Sequence, residues 1–288
     1  IILVINTSMS NQNVNDIINQ MKRVNNSASF NVWVPSIAKD ISFLEINTSQ
    51  QKRLIKSIID SPIFNSQFIK TAYAIIKENC VEDGFDVSTL NILDKMFILI
   101  KLRSISISND LEAEFTSENN SDIKYTTKVQ LDKLIEKATK QVKNIKAEEI
   151  VYNSYTLGCS VPDILCELKM EEEFKEHADV IEINDVEELR KNFGEKFICE
   201  LCKYINTITI NEGEEPYVCN MVEYTFTERI SIIENLPAKL IEDVLLYINK
   251  INGEIEKVSL IKKSATINGK KEEVEYQLSL DATFFTSS

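Results

Sequence analysis

The chain has 288 residues, with 32 basic against 45 acidic side chains, six Gly, five Pro and a single His. One His excludes a multi-His metal centre, and so few Gly residues exclude a glycine-rich phosphate-binding loop. The net charge of −13 argues against a nucleic-acid-binding surface, since that affinity comes largely from Lys and Arg neutralising phosphates. A hydrophobic content of 43% with 27% charged residues is typical of a folded globular protein.

No stretch approaches the roughly 18 consecutive apolar residues of a transmembrane helix, so we expect no membrane span. The opening Ile1-Ile2-Leu3-Val4-Ile5 predicts an edge strand, available for contacts with a partner, rather than a secretory signal. Without such a signal, the six cysteines are expected to be reduced thiols.

Hydrophobic periodicity predicts helices and short strands through the first half of the chain. In chain order these are a helix over 14–24, a hairpin of strands 30–34 and 40–44, a helix capped by Asn47 or Thr48 and stopped near Pro62, a helix over 64–79, and a helix opened by Ser88 or Thr89. The last of these is apolar on most sides, which predicts a central position. The polar residues 109–122 predict a loop or irregular insertion.

The second half continues the mixed pattern. In chain order it predicts a strand over 125–131, a helix over 134–145, strands over 150–157 and 164–168, a helix capped by Asp185, a helix over 196–205 and a strand over 207–210. The C-terminal part predicts a helix capped by Thr227, a helix from Pro237 to Asn252-Gly253, and two strands joined by Asn268-Gly269.

These elements indicate an α+β fold, with helical segments, antiparallel sheets and hairpins, and a C-terminal helix followed by a β-hairpin. We predict an N-terminal extension over 1–29, an α+β domain over 30–183, and a helical domain over 184–288 that ends in the hairpin. No internal repeat is evident.

The cysteines offer one possible metal site. Cys199 and Cys202 form a C-x2-C pair, and Cys219 is the nearest further thiol along the chain. A structural zinc site needs four ligands, and a second ligand pair with regular spacing is missing. Apolar residues at helical spacing around the pair favour cysteines buried on a helix, so we expect no metal. A zinc-ribbon module stays the alternative.

No catalytic constellation is evident. His177 lies in the charged run 171–177, which predicts a solvated helical face rather than a general base with its carboxylate. The paired acids elsewhere in the chain stand beside Lys or at element ends, as solvated faces do. Gly158-Cys159-Ser160 lacks the second Gly of a nucleophile elbow. The sequence therefore predicts no enzyme, no catalytic residue and no cofactor.

Two separated segments together carry a resemblance to a known family. The first comprises Trp33-Val34-Pro35-Ser36, Phe43, Gln50-Gln51-Lys52 and Leu54, followed by Asp94, Ile98 and Leu102-Arg103-Ser104. The second runs from Phe226 through Leu236-Pro237 and the paired strands to 278–285, which ends in Phe284-Phe285. In order and spacing they resemble the T-even-type contractile-phage baseplate protein family, whose members are baseplate hub subunits.

The resemblance covers about residues 30–285, with a poorly matched middle. Many family members carry Cys pairs in the two ribbons that follow the helices, whereas the corresponding stretches 109–125 and 257–271 contain no Cys here. A ribbon metal site implied by the family is therefore not expected in this chain. The helix near 14–24 is additional to the family pattern.

The resemblance implies a structural or assembly component of a contractile tail baseplate, which acts by protein–protein docking without catalysis. It implies other baseplate and tail proteins and a symmetric homo-oligomer as partners, with no nucleic acid, and a location in the virion after assembly in the host cytoplasm. Trp33, Phe284 and Phe285 are the candidate interface residues, although closing the protein's own core is the favoured interpretation for the Phe pair and for the strand 1–5. An intracellular adaptor or assembly chaperone that is not retained in the virion is the alternative.

Overall fold

The structure is a computed structural model that describes residues 14–25, 29–60, 66–117, 122–179, 194, 197–212, 215–267 and 269–286. It is a mixed α+β fold, as the sequence predicts. The C-terminal helix is followed by a β-hairpin, which confirms the predicted end of the chain. The predicted strand 1–5 and the helix capped by Asp185 lie outside the described residues.

The elements alternate irregularly along the chain. The helices are α1 (Val14–Asn25), α2 (Thr48–Ile59), α3 (Ser66–Asn79), α4 (Ile92–Ser106), α5 (Leu131–Gln141), α6 (Ile164–Asp179), α7 (197–204), α8 (Phe226–Glu234) and α9 (Ala238–Ser259). The strands are β1 (Ser29–Val34), β2 (Lys39–Leu44), β3 (Asp110–Ser117), β4 (Lys124–Gln130), β5 (Glu148–Tyr152), β6 (Tyr155–Cys159), β7 (Ile205–Ile210), β8 (Tyr217–Asn220), β9 (Leu260–Ile267) and β10 (Lys270–Gln277).

Within the described ranges, the strands form three antiparallel sheets. β1 and β2 make the predicted N-terminal hairpin, with Val32 opposite Ile41. A second sheet has the order β4-β3-β10-β9 and therefore joins the C-terminal hairpin to strands from the first half of the chain. A third sheet has the order β5-β6-β7-β8. Ile267 pairs with Lys270, as the predicted hairpin requires, and Gly269 has a φ of +77°.

Helix α4 lies at the centre of the first half, as its sequence predicts. Ten of its residues are buried, among them Phe97, Ile98, Leu99 and Ile100 on successive sides of the helix. A helix that is apolar all round must be covered all round, and this position satisfies that requirement. Its N-cap is Asn91 rather than Ser88 or Thr89, which lie in a 3₁₀ turn over Val87–Thr89.

The described residues form two hydrophobic cores. The first is built from β1 to α5 together with the C-terminal hairpin and the residues after it. The second is built from β5 to α9. Helix α9 serves both, since Tyr247 and Ile251 are buried in the second core and Val258 is buried in the first. The proposed domain boundary at 183/184 lies outside the described residues and stays a prediction.

The predicted loop over 109–122 is wrong. Strand β3 occupies most of it, because Leu111, Ala113 and Phe115 alternate with the exposed Glu112 and Glu114. This alternation places one face of the strand in the first core and the other in solvent. The many acidic residues suggested a loop, although the apolar residues of this segment occur at every second position, as they do in a strand.

The predicted strand over 164–168 is also wrong, because the segment begins α6. The Asp163 side chain accepts a hydrogen bond from the Cys166 backbone N at 2.6 Å, which satisfies a free donor at the helix start. Ile164 is buried in the first core, and Met170 and Phe174 are buried in the second. The short apolar run over 164–168 is compatible with a strand or with a helix. Only the spacing of apolar residues over a longer segment distinguishes the two.

The predicted strand over 150–157 is two strands. β5 and β6 pair as a hairpin in which Tyr152 lies opposite Tyr155, and Asn153 takes a φ of +52° in the turn. Asn tolerates the left-handed region better than most residues, which lets a two-residue turn form here.

Two predicted helix ends differ near the C-terminus. Thr225, not Thr227, caps α8, and Glu228 completes its capping box. Helix α9 continues past Asn252-Gly253 to Ser259, so Gly253 lies inside the helix without a positive φ. Apolar side chains after Gly253, including Val258, pack in the hydrophobic core. Their burial stabilises the helix by more than the low helix propensity of Gly destabilises it.

Candidate functional site

Some of the residues that carry the resemblance meet around α4, although they are far apart in the sequence, whereas Phe226 and Leu236 pack in the second core. The buried Arg103 donates from Nε to the carbonyl oxygen of Phe284 at 2.7 Å and from Nη1 to that of Asp110 at 3.1 Å. Its guanidinium also lies over the Phe284 ring, 5.4 Å from the centroid. Gln51 Nε2 donates to the carbonyl oxygen of Phe285 at 2.7 Å. Residues from both segments therefore hold the end of the chain in place.

A second polar contact fixes the proline turn of the first segment. The Ser36 backbone N donates to Asp94 Oδ1 and the Asn91 backbone N donates to Asp94 Oδ2, each at 2.9 Å. Burial raises the pKa of the Asp94 carboxyl, although these hydrogen bonds act in the opposite direction. Asp94 thus joins the turn after β1 to the start of α4.

The two terminal Phe residues are part of the protein's own core. Phe284 and Phe285 are 1% and 0% exposed, and their rings pack edge to face with centroids 5.0 Å apart. Phe68 contributes a further ring, 6.2 Å from that of Phe285. Neither terminal Phe presents a surface to a partner, which corrects their use as interface candidates. Trp33 is half-buried and packs against the first core, and its role in an interface stays a prediction.

The candidate metal ligands are buried in the second core. Cys199 and Cys202 lie on α7, as predicted for helix cysteines, and Cys219 lies on β8. Burial raises the pKa of the Cys202 thiol to about 12 and raises that of Cys199 further, so both are protonated at neutral pH. Among the described residues no three His, Cys, Asp or Glu side chains are grouped to hold a metal ion.

Helix α6 carries a row of buried or half-buried ion pairs that the sequence did not predict. Lys203 Nζ on α7 lies 2.7 Å from Glu171 Oε1 and 2.8 Å from Glu200 Oε1. Burial alone would lower the pKa of Lys203, but the two carboxylates more than offset it and hold the pKa above its ordinary value. Lys203 is therefore a permanently charged partner rather than a general base.

The same helix pairs with two further elements. Glu167 binds Lys95 on α4, and Glu173 Oε2 lies 3.5 Å from Arg229 Nη1 on α8. Arg229 and Lys95 are both buried, so α6 joins the two halves of the fold by charge as well as by packing. The run 171–177 is thus not simply a solvated face. The i, i+4 spacing of Glu167 and Glu171 is the sequence signal that indicates one inward-facing row. The side chain of His177 lies outside the described residues.

Exposed apolar side chains mark two surfaces. The first is a stripe along α1, formed by Val14, Ile17, Ile18 and Met21, which are between 43% and 67% exposed. The second is a groove of about 410 Å³ between the third sheet and α8. We name these the α1 stripe and the β8–α8 groove.

The β8–α8 groove has an apolar floor and a polar rim. Ile208 and Ile210 of β7 form the floor beside Cys219, and Ile232 and Leu236 form the wall on the helix side. The rim carries Tyr155, Tyr217, Tyr224, Ser231 and Asn235. β8 is an edge strand of its sheet, and Tyr217 and Val218 on it are largely exposed. The surface can accept apolar side chains from a partner at its centre and hydrogen bonds at its edge.

None of the described helices is long and apolar enough to cross a bilayer. Comparison with known proteins adds no relative: no protein-family model, no curated protein and no solved structure matches this chain.

Proposed function

We propose that this chain is a structural or assembly component of a contractile phage tail baseplate, located at the hub and acting by protein–protein docking without catalysis. The observation that supports this proposal is the cluster around α4. Each motif of the resemblance is common when taken alone. The hydrogen bonds from Gln51 and Arg103 to the backbone of Phe285 and Phe284 give a physical reason for the motifs to occur together.

The described surfaces support docking as the mode of action. The α1 stripe and the β8–α8 groove expose apolar side chains that a partner could bury. Stable interfaces bury about 1,200 Å² or more, and several such contacts act together in a ring. The net charge of −13 would keep free subunits soluble before assembly.

Imaging assembled phage particles by electron cryo-microscopy, together with a mass-spectrometric inventory, tests the proposal. We expect density for this chain at the baseplate axis, in a copy number that matches the local symmetry. Presence in baseplate intermediates but not in finished virions would assign the chain to the assembly factors. Absence from both would contradict the proposal and favour an adaptor unconnected with tails.

A further inference from the structure

Lysines are concentrated on α5 and on the connection that follows it, although the chain as a whole is acidic. Residues 131–146 contain five lysines against two acids, Asp132 and Glu136. All five lysines are exposed, and none of their ammonium groups has an ion-pair or hydrogen-bond partner among the described residues. We name this surface the basic ridge; its members are Lys133, Lys137, Lys140, Lys143 and Lys146.

Acids beside the basic ridge are held by lysines that do not belong to it. The ion pairs that engage them are Lys101–Asp132 at 2.7 Å, Lys250–Glu148 at 2.9 Å and Lys257–Glu254 at 2.5 Å. Within residues 131–146, all of which the structure describes, Glu136 is the only acid outside an ion pair, and the five lysines outnumber it. The ridge therefore keeps an excess of positive charge on a molecule whose net charge is −13.

The backbone beneath the basic ridge is anchored, while the ammonium groups are exposed. The buried residues of α5 pack in the first core, and the three helical lysines lie on the opposite side, within about 10 Å along the helix axis. In the connection, the Lys143 backbone N donates to Glu254 Oε2 at 2.7 Å, and the Lys146 carbonyl oxygen accepts from Tyr247 Oη at 3.1 Å. Helix α9 thus fixes the main chain of the connection, so the lysines are held in place for a partner.

The residue types on the basic ridge indicate the chemistry of that partner. Ammonium groups without a carboxylate partner attract anions, and complementary charge favours one orientation of binding over others. Residues 131–146 contain no Arg, whose planar guanidinium suits phosphate, and no aromatic residue on which a base could stack. The net charge of −13 also opposes the approach of a long polyphosphate. These features favour carboxylates over the phosphates of a nucleic acid.

We propose that the basic ridge binds a carboxylate-rich segment of a partner protein. The segment lies along α5 and the connection after it, where its acids pair with the lysines that have no carboxylate of their own. Because the lysines are exposed, each pair contributes little alone and the contact weakens as salt is added. The inference concerns this surface and does not depend on the baseplate role.

Fluorescence anisotropy of a labelled deca-glutamate peptide, titrated with the full chain at low salt, tests the proposal. We expect saturable binding whose dissociation constant rises at least about fivefold in the double variant Lys137→Gln/Lys140→Gln. The control Lys52→Gln/Lys77→Gln removes the same charge from exposed lysines of α2 and α3 and should leave the constant nearly unchanged. Equal effects of the two double variants, or a wild-type chain that does not bind the peptide, would overturn the proposal.

Two further probes distinguish a carboxylate-rich partner from other polyanions. A labelled short DNA duplex and vesicles of phosphatidylserine and phosphatidylcholine are titrated under the same conditions, and we expect both to bind more weakly than the peptide. Tighter binding of either probe, with the same loss in Lys137→Gln/Lys140→Gln, would assign the basic ridge to phosphates and overturn the proposal. Circular dichroism checks that both double variants are folded like the wild type, so that a loss of binding reports the lost charge.

Discussion

Arg103 shows how one buried charge can organise distant parts of a chain. Its guanidinium binds the backbone carbonyls of Phe284, Ser108 and Asp110, and no carboxylate among the described residues accepts a hydrogen bond from it. Burial lowers the pKa of Arg103, but a guanidinium is so strongly basic that the side chain stays charged. The carbonyls of residues 284, 108 and 110 replace part of the water that Arg103 has lost, while its Nη2 has no hydrogen-bond partner among the described residues.

We expect Arg103→Leu to lower the free energy of unfolding by about 3 kcal/mol or more, because three carbonyls lose a charged donor in the core. Arg53→Leu is the matched control, since Arg53 makes an exposed ion pair with Glu78 and should change stability by at most about 1 kcal/mol. Urea unfolding followed by circular dichroism measures both. Equal effects would contradict the role given to Arg103.

The buried thiols make stability fall in alkali. Burial raises the pKa of Cys159 to about 12, that of Cys202 to about 12 and that of Cys166 to about 11. In the unfolded chain the pKa of these thiols is about 8.5. Above that pH the thiols therefore stay protonated only in the folded state. Their contribution is fully present below about pH 8.5 and is lost as pH rises through about 11–12.

Urea unfolding in reductant at about pH 7.5, 9 and 10.5 should therefore show falling stability, by up to about 1.4 kcal/mol per pH unit for each thiol. Cys202→Ala should reduce the decrease of the free energy of unfolding with pH by about the contribution of one thiol. A free energy of unfolding that does not change between the lowest and the highest pH would contradict the burial of these cysteines.

At the scale of the element, α8 was predicted with the wrong cap. The Thr225 side chain accepts a hydrogen bond from the Glu228 backbone N, and the Glu228 side chain accepts one from the Thr225 backbone N. Thr227 lies inside the helix and is exposed. Either Thr could begin a helix by residue type, and the capping box distinguishes them by the position of the Glu three residues later.

Alanine substitutions separate the two threonines. Thr225→Ala should lower the free energy of unfolding by about 1 kcal/mol, because a backbone donor in the first turn loses its acceptor. Thr227→Ala should be neutral or slightly stabilising, since Ala is the better helix former. Thermal unfolding of the two variants in parallel measures the difference. The reverse order would show that the helix begins at Thr227.

Helix α9 gives a second test of where an element ends. Gly253 lies in its interior, and no heavy atom would lie within 4 Å of an added Cβ. Gly253→Ala should stabilise the protein by about 0.5–1 kcal/mol, because Gly loses more conformational freedom in a helix. If the helix ended there with Gly in the left-handed region, Ala would destabilise the protein instead. Chemical unfolding reports the sign directly.

At the scale of the whole molecule, the fold is held together by segments that return to the first half of the chain. β10 pairs with β3, and the residues after it close the first core through Phe284 and Phe285. α9 crosses from one core to the other, and α6 links them by ion pairs. The two cores therefore share elements and should lose their structure together.

Phe285→Ala tests this closure. The ring is fully buried, and its removal should lower the free energy of unfolding by about 3–5 kcal/mol. Phe197→Ala is the control, because Phe197 is 43% exposed and its removal should cost clearly less stability than that of Phe285. If both cores share one transition, unfolding monitored by circular dichroism and by Trp33 fluorescence should coincide in wild type and variant. Transitions that separate would show that the cores unfold independently.

The sequence by itself determined the fold class, the central position of α4, the helix that carries Cys199 and Cys202, and both terminal hairpins. Each rests on a local pattern, such as the turn at 268–269 or apolar residues on all sides of a helix. Only the tertiary structure decided that Glu171 of α6 is buried against Lys203, and that Phe284 and Phe285 belong to the core. Those outcomes depend on partners that are distant in the chain, such as Lys203 for Glu171 and Arg103 for Phe284, and no local pattern contains them.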